Sequence, residues 1–291
     1  MGKIYNKLAR ADYLNNYDPE YLLEVYKRLS TFYDCKECPF EDVGLLNETQ
    51  VKTYYNHETK IFSIAFECSR SNRVKTKFPI AIDWIINFIA LPSDILHEPC
   101  NQGKTGNFTK DHKTHAGFAL AFYKIIDYIE GKIQEVLNND KEINGFEIYG
   151  WSYGGAMATL CHGWIANKYC LKIGLKKIPS LITMTIGAPR VFCKLIFNIA
   201  KSKKWINLKN QYQHLYLFSN INDLVTMMPP KILTFTHIMP KIKLEGKFNI
   251  KKIFQPNIYH QKSRYDELII NKLTQEIEAK KENVVNTESE N

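Results

Sequence analysis

The sequence predicts an α/β fold in which a mixed, mostly parallel central sheet is flanked by helices. Runs of nearly continuous apolar residues at positions 61–66, 181–186 and 214–218 are typical of buried strands. Helix-like segments alternate with these runs, which is the order of parallel strands joined by helices. Each run also ends in a polar or glycine-containing loop, and α/β proteins carry their functional groups on such loops.

The first 50 residues predict a helical extension that packs on the main domain. Asp18 followed by Pro19 indicates a helix start, because aspartate caps the first turn and proline suits the first helical position. Residues 51–55 and 60–66 predict the first two strands of a domain that we expect to span residues 51–273. Apolar side chains recur on one face of the expected helix, at Leu22, Leu23, Tyr26, Leu29 and Tyr33.

No targeting segment is predicted. Residues 1–20 lack the apolar core of a signal peptide, and the longest apolar run, residues 78–91, is too short to span a bilayer. We therefore expect a soluble protein that is cytoplasmic or released without a classical export signal. Residues 274–291 are polar and charged without a fold signal, so a flexible polar tail is expected there.

The apolar run at residues 78–91 allows two interpretations. It is apolar nearly all round and has prolines near both ends, at Pro79 and Pro92. One interpretation is a buried core helix. The other is a mobile lid whose apolar side faces the active site, or lipid once the lid is open.

The net charge of +9 is unevenly distributed. Between Tyr153 and Leu244 there are thirteen Lys or Arg residues and one acid, Asp223, a bias that could favour an anionic membrane surface. A solvated Lys-rich surface explains it equally well, and no nucleic-acid-binding motif accompanies it. The seven cysteines are scattered, and Cys35-x-x-Cys38 lacks the second pair that a zinc site needs, so neither a disulfide framework nor a metal is expected.

Residues 150–156 carry the strongest functional signal. They read Gly-Trp-Ser-Tyr-Gly-Gly-Ala and lie between an apolar strand-like run and an apolar helix-like segment. The spacing Gly-x-Ser-x-Gly in this context predicts a nucleophile elbow, in which Ser152 sits on a strained turn with its hydroxyl available for reaction. Glycines two residues either side of the serine let the strand and helix backbones cross closely.

Counting identifies the carboxylate that such a serine needs. A serine hydroxyl is a weak nucleophile without a histidine base, which is itself oriented by a buried carboxylate. In elbow-type hydrolases the chain order is serine, acid, histidine. Asp223 is the only acid between Ser152 and His237, which excludes His162 and His214 as the base. Asp223 also lies just past an apolar strand.

Two histidines remain as candidates for the base. His237 could equally be a satisfied polar group in a strand. His260 precedes a C-terminal amphipathic helix, so its loop can reach back over the sheet edge to the serine, and we favour it. With His260 as the base, Glu245 becomes a second possible acid, but it lies in a Lys-rich loop and is a poor choice.

Several motifs in order resemble the class 3 lipase family, the fungal-lipase-like α/β-hydrolases, over roughly residues 51–273. His237 falls where the family has a noncatalytic histidine, which supports His260 as the base. The resembling motifs are the elbow at 150–154, His-x-Gly-Phe at 115–118, Thr-x-Gly-x-Pro-Arg at 185–190, the acid motif at 222–225 with Pro229-Pro230, and His-x(4)-Tyr at 260–265.

The chain departs from this family at the oxyanion loop. The family usually has Phe-Arg-Gly-Thr or Phe-Arg-Gly-Ser there, whereas this chain has Phe-Glu-Cys-Ser at 66–69. The resemblance places Ser69 on the oxyanion hydroxyl position, and the amide of Tyr153 supplies the second donor. Because Glu67 and Cys68 replace Arg and Gly, a weakened oxyanion hole is an alternative, and one lost donor typically costs about 10²–10³ in rate.

The resemblance also bears on the apolar run. Asp83-Trp84 matches the family's lid, where an acid or amide precedes Trp, so the lid interpretation is favoured. We expect Trp84, Ile85 and Phe88 to be lid residues that meet the substrate.

The family likeness implies a triacylglycerol lipase-like serine esterase that acts on lipid at a lipid–water interface, without a metal or organic cofactor. Phospholipase A1 activity is the nearest enzymatic alternative. A different class of alternative, motivated by the altered oxyanion loop, is a lipid-surface or partner-binding protein with weakened catalysis on a hydrolase scaffold.

Overall fold

The computed structural model describes residues 17–43, 49–68, 92–93, 113–139, 142–170, 180–193, 214–246 and 259–289. In chain order its strands are β1 (Glu41–Val43), β2 (Thr49–Asn56), β3 (Ile61–Phe66), β4 (Pro92–Ser93), β5 (Thr114–His115), β6 (Gly145–Trp151), β7 (Ser180–Ile186), β8 (Phe192–Cys193), β9 (Leu215–Asn220), β10 (Phe235–Thr236) and β11 (Lys241–Leu244). Its α-helices are α1 (Pro19–Asp34), α2 (Ala116–Asn139), α3 (Tyr153–Ile165) and α4 (Lys262–Ser289), and a π-helical turn, Ala166–Cys170, continues α3. Two short 3₁₀ helices are Leu224–Met227 and Lys231–Leu233.

A seven-stranded sheet with the order β1-β2-β3-β6-β7-β9-β11 forms the centre of the fold. Strands β3, β6, β7, β9 and β11 pair in parallel, whereas β1 and β2 are antiparallel at one edge. A smaller antiparallel sheet has the order β10-β8-β5-β4. The predicted mixed, mostly parallel sheet flanked by helices is confirmed.

Two apolar cores sandwich the large sheet. One contains the buried faces of α2 and α3, and the other contains those of α1 and α4. Strand β6 serves both, because successive side chains of a strand point to opposite faces: Phe146 and Ile148 join the first core, and Tyr149 joins the second with Trp151 packed beside it. Among the described helices, none is long and apolar enough to cross a membrane.

Helix α1 is fixed at both ends. The Asp18 side chain accepts from the amide of Glu20 at 3.1 Å, which confirms the predicted cap. At the other end the ammonium of Lys52, a buried residue of β2, donates to the carbonyls of Phe32, Tyr33 and Cys35 at 3.0, 3.1 and 2.8 Å. A cation suits this position because the last carbonyls of a helix are unpaired and its dipole is negative there.

Helix α4 runs to Ser289, which differs from the flexible tail expected for residues 274–291. The extra turns are held by contacts that the sequence pattern does not reveal. The hydroxyl of Tyr17 donates to Glu276 at 2.5 Å, Lys272 pairs with Glu276 at 2.9 Å, and Lys281 lies 3.4 Å from Glu20. The segment therefore keeps its helix by packing beside α1 rather than by burying an apolar stripe.

Candidate active site

Ser152 occupies the sharp turn between β6 and α3. Its backbone has φ 58° and ψ −124°, a conformation that is strained for a residue with a side chain, and it is buried. A Cβ on Gly150 would lie 2.1 Å from the carbonyl oxygen of Gly154, and a Cβ on Gly154 would lie 2.2 Å from that of Phe66. The glycines are therefore required by the close crossing of backbones, as the elbow motif predicted.

The end of β7 supports this turn. The amide of Ser152 donates to the carbonyl of Ile186 at 2.8 Å. The next residue, Gly187, has φ +60°, and a Cβ there would lie 3.0 Å from Cε1 of His260 and 3.1 Å from Oδ2 of Asp223. Gly187 thus leaves room for these two side chains next to the serine turn.

Asp223 follows β9 and is fully buried. Its Oδ2 accepts from Nδ1 of His260 at 2.6 Å and from the hydroxyl of Tyr265 at 2.6 Å, while its Oδ1 accepts from the amide of Val225 at 2.9 Å. A carboxylate removed from water is costly unless donors replace the water, and these three do so. The Tyr265 hydroxyl in turn accepts from the amide of Asn220 at 3.0 Å.

His260 lies just before α4 and is 7% exposed. Because Oδ2 of Asp223 accepts a hydrogen bond, the Nδ1 atom of His260 carries a proton and Nε2 is the nitrogen left to accept one. The ring of Trp151 lies nearly parallel to the imidazole, with centroids 5.7 Å apart and planes at 28°. The Tyr265 ring meets it edge-on at 6.5 Å.

His237 has a different environment. Its Nε2 donates to the backbone carbonyl of Thr226 at 2.9 Å, so it holds the loop that carries Asp223 and not the carboxylate itself. Desolvation lowers the pKa of His237 to about 3, which leaves the ring uncharged. Glu245, the other acid considered, is exposed beyond β11.

Arg190 also stabilises the loop that carries Asp223, through hydrogen bonds to its backbone carbonyls. Its guanidinium donates to the carbonyls of Met227 and, at 2.6 Å, of Pro229, and its amide donates to the carbonyl of Met228 at 2.6 Å. Within the loop, the hydroxyl of Thr226 donates to the carbonyl of Asp223 at 2.9 Å. The acid is thus held by a rigid loop as well as by its own partners.

Gly187, Arg190 and Tyr265 lie in motifs that resemble the family, but no role was predicted for these residues. Arg190 and Tyr265 are both buried, but only Arg190 lies in an apolar stretch of sequence. Buried polar residues need partners. For Arg190 this requirement is a sequence signal that could have identified it, although not its partners, whereas Tyr265 carries no such signal.

The remaining predicted site residues are described only in part. Tyr153 is the first residue of α3, and its hydroxyl lies 3.1 Å from that of Thr49. Ser69 and the lid residues Trp84, Ile85 and Phe88 lie outside the described residues. Within the described ranges, no group of three or more His, Cys, Asp or Glu side chains is placed to hold a metal ion.

Comparison with solved structures places this fold among lipases. The chain superposes with a TM-score of 0.54 on a triacylglycerol lipase whose catalytic centre is formed by a serine protease triad, with 17% identity over 77% of this chain and 79% of that one. Against a mutant of MDLA from Penicillium cyclopium the TM-score is 0.51, with 18% identity over 72% of this chain and 64% of that chain. Lipase II from Rhizopus niveus gives 0.50, with 20% identity over 71% and 65%.

This chain therefore spans less than two thirds of the length of the Penicillium and Rhizopus proteins. At these identities the superpositions show a common fold, and no curated protein sequence matches the chain. The family model named Lipase (class 3) matches residues 83–233, which are 151 of the 291 residues. With more than half of its length matched, the chain belongs to the class 3 lipase family.

Proposed function

We propose that this protein is a serine carboxylic-ester hydrolase that cleaves acylglycerol esters through an acyl-enzyme intermediate. The observation that carries the proposal is the buried bond of 2.6 Å between Nδ1 of His260 and Asp223, beside a strained serine elbow. A histidine oriented by a carboxylate next to a serine turn suits nucleophilic attack on an ester.

In the proposed acylation step, Oγ of Ser152 attacks the ester carbonyl carbon while Nε2 of His260 takes the hydroxyl proton. The tetrahedral intermediate collapses, the bond to the alcohol oxygen breaks, and His260 returns the proton to the leaving alcohol. Asp223 holds the imidazole in the required tautomer and stabilises its protonated form. Its two further donors, Tyr265 and the Val225 amide, fix the orientation of the carboxylate.

Deacylation repeats these transfers with water. His260 takes a proton from the water as its oxygen attacks the acyl carbon, and then protonates Oγ of Ser152 as the fatty acid leaves. We propose that the amide of Tyr153, at the start of α3, and the Ser69 hydroxyl hold the oxyanion in both steps. The helix start favours negative charge, because its first amides are unpaired and its dipole is positive there.

Exposed apolar side chains support the proposal that the protein acts at a lipid–water interface. Eight large apolar side chains are exposed among the described residues, and four of them lie within the twelve residues 221–232. Singly scattered exposed apolar residues are ordinary, but a cluster beside a site indicates contact with an apolar phase. Together with Asp223 this stretch has a buried polar side and an exposed apolar side. The four are Ile221, Leu224, Met227 and Ile232.

We propose Trp84, Ile85 and Phe88 as lid residues that meet the substrate, and an anionic membrane surface as one form of the interface. Lys231 is exposed and adjoins Ile232 in the chain, so anionic head groups would meet positive charge there.

The activity is tested with the purified protein, a short-chain nitrophenyl ester and a fluorophosphonate probe. Ser152→Ala is expected to lower the rate by about 10⁴-fold or more and to abolish labelling, because no nucleophile remains. Ser180→Ala, which changes a serine whose hydroxyl bonds the carbonyl of Asn144 at an exposed position, is the matched control and should behave as wild type. Turnover that survives Ser152→Ala would contradict the proposal.

A second candidate function is lipid-surface or partner binding with little turnover, which the replacement of Arg and Gly by Glu67 and Cys68 favours. The same assay separates the two. Wild-type protein that binds vesicles but neither hydrolyses the ester nor reacts with the probe would establish this second function. Release of fatty acid from phosphatidylcholine and not from triacylglycerol would instead identify a phospholipase.

The interface is tested by the apolar cluster. Ile232 is 88% exposed, and Ile232→Ser is expected to weaken binding to phosphatidylcholine–phosphatidylglycerol vesicles about threefold to tenfold, while hydrolysis of a dissolved ester is unchanged. Tyr54→Ser removes an apolar side chain that is also exposed but lies on β2, so it serves as the control. Equal losses in both variants would contradict a defined lipid-contacting surface.

A further inference from the structure

Trp151, the residue before the serine, lies against the proposed base. It is the last residue of β6, and the alternation of side chains along this strand turns it toward the core that contains α4. His260 lies two residues before the start of α4 and meets the indole there, with ring centroids 5.7 Å apart and planes at 28°. One strand end thus places the nucleophile in the turn and a large aromatic face beside the imidazole.

This geometry matters when the imidazole becomes charged. The face of an aromatic ring carries negative electrostatic potential, and a cation within about 6 Å of the ring centroid is attracted to it, most strongly by Trp. The imidazole is neutral before the serine attacks and positive while it holds the serine proton. An interaction that strengthens as that charge develops accelerates the reaction rather than merely binding the substrate.

Apolar packing alone does not explain an indole at this position. Nε1 of Trp151 is buried and has no hydrogen-bond partner among the described residues. A buried donor without a partner is unfavourable, and a phenyl or alkyl side chain would fill the site without this penalty. What the indole adds is the larger negative face.

The other groups around the imidazole define its electrostatics. Asp223 of the acid loop hydrogen-bonds the imidazole at Nδ1, and Tyr265 of α4 meets the ring edge-on. Lys241 of β11 is a further charged group nearby, since it interacts electrostatically with Asp223. None of these groups covers the ring face that Trp151 occupies, because Asp223 bonds Nδ1 and Tyr265 lies edge-on.

We infer that Trp151 is a positioning residue for the base, which holds the plane of the His260 imidazole and stabilises the positive charge that the ring acquires during ester cleavage. As a contribution to catalysis, the inference rests on the proposed function. The stacking and its effect on the protonated ring are properties of the protein itself and are testable without turnover.

The test compares Trp151→Leu and Trp151→Phe with wild type. Trp151→Leu is expected to lower kcat about threefold to thirtyfold with a smaller change in KM, and to move the acidic limb of the pH–rate profile to lower pH by roughly half a unit. The limb moves in that direction because the imidazolium loses stabilisation, so the ring protonates only at lower pH. Trp151→Phe, which keeps a smaller aromatic face, should lie between.

Trp164→Phe is the matched control, because Trp164 is a buried tryptophan of the opposite core, in edge contact with Phe122 and Tyr169. It should lower thermal stability without moving the limb. If Trp151 had only a structural role, its substitution would lower thermal stability and rate together. The acidic limb of the pH–rate profile would then stay in place. If Trp151→Leu does not fold, the comparison is made with Trp151→Phe.

An NMR titration of the His260 ring in the Ser152→Ala background gives a readout independent of catalysis. Trp151→Leu or Trp151→Phe should move the pH midpoint of ring protonation downward. An unchanged midpoint overturns the inference whatever the activity. A shifted midpoint in a protein whose turnover does not depend on Ser152 would instead uphold the stacking and refute the proposed function.

Discussion

Two histidines touch the loop that carries Asp223, and their surroundings differ. His260 donates from Nδ1 to the carboxylate of Asp223 at 2.6 Å and stacks on an indole. His237 donates from Nε2 to the carbonyl of Thr226, and desolvation first, then the nearby cations Lys241 and Arg190, lower its pKa to about 3.

The comparison shows that desolvation does not make a histidine a base. Desolvation disfavours the imidazolium, and cations disfavour it further, so the environment of His237 opposes the charge that a general base must carry. A carboxylate and an aromatic face do the opposite for His260, because both favour positive charge. The partner of the ring decides its role.

The largest effect is expected when the imidazole rings of His260 and His237 are removed one at a time, which tests the difference between them. His260→Ala is expected to lower kcat/KM about 10⁴-fold, since the serine loses its base, whereas His237→Ala should lower it less than tenfold. Steady-state hydrolysis of a soluble ester measures both, with circular dichroism as a check of folding. If His237→Ala abolished turnover and His260→Ala did not, the base assignment would be wrong.

A smaller effect is expected from a substitution that crowds the His260–Asp223 pair and leaves His237 unchanged. Gly187→Ala forces a side chain into a backbone with φ +60° and against His260 and Asp223, so kcat/KM should fall about 100-fold through misplacement of the pair. Gly131→Ala in α2 is the control, because a Cβ there meets nothing within 4 Å, and it should be neutral or slightly stabilising. Wild-type activity in Gly187→Ala would show that the pair tolerates displacement.

The smallest expected effect is on stability, and it tests whether the fold keeps the His237 ring neutral. Because its folded pKa of about 3 is below the ordinary value of 6.5, the unfolded chain binds the extra proton between these values, and stability falls as pH falls through that window. His237→Gln keeps a donor for Thr226 but does not titrate. It should reduce the loss in unfolding free energy between pH 6.5 and pH 5 by about 1 to 2 kcal/mol, as measured by urea denaturation.

In His237→Gln the unfolding free energy should still depend on pH to some extent. Burial lowers the pKa of His115 to about 4, so this second histidine contributes over the same pH range. If the pH dependence of the unfolding free energy were the same in His237→Gln as in wild type, His237 would not be kept neutral by the fold.

The parts of the fold that were predictable depend on local sequence pattern. The buried strands, the capped start of α1 and the serine elbow each have a signature within a few residues, and all are present. Asp223 was identifiable because the stretch after Ser152 is so poor in acids. His260 could be favoured over His237, and the family resemblance supported that choice.

What could not be predicted depends on residues far apart in sequence. The hydrogen bond of Tyr265 to Asp223 spans 42 residues, and Lys52 caps a helix from a strand that follows it. The last turns of α4 lack a regular apolar stripe, so periodicity suggested a tail. Ion pairs and a tyrosine of the N-terminal segment stabilise them instead.

The pairing of α1 with α4 has a consequence for the order in which the site is built. Lys262, two residues after His260, donates to Ser30 at 3.0 Å and pairs with Asp34 at 2.7 Å, and Tyr26 bonds Asp266 across the same contact. These partners are separated by more than 220 residues, as in the 232 between Lys262 and Ser30. During synthesis the elbow and Asp223 emerge well before the helix that seats His260. The candidate active site can therefore be complete only after the C-terminal helix docks on the N-terminal one.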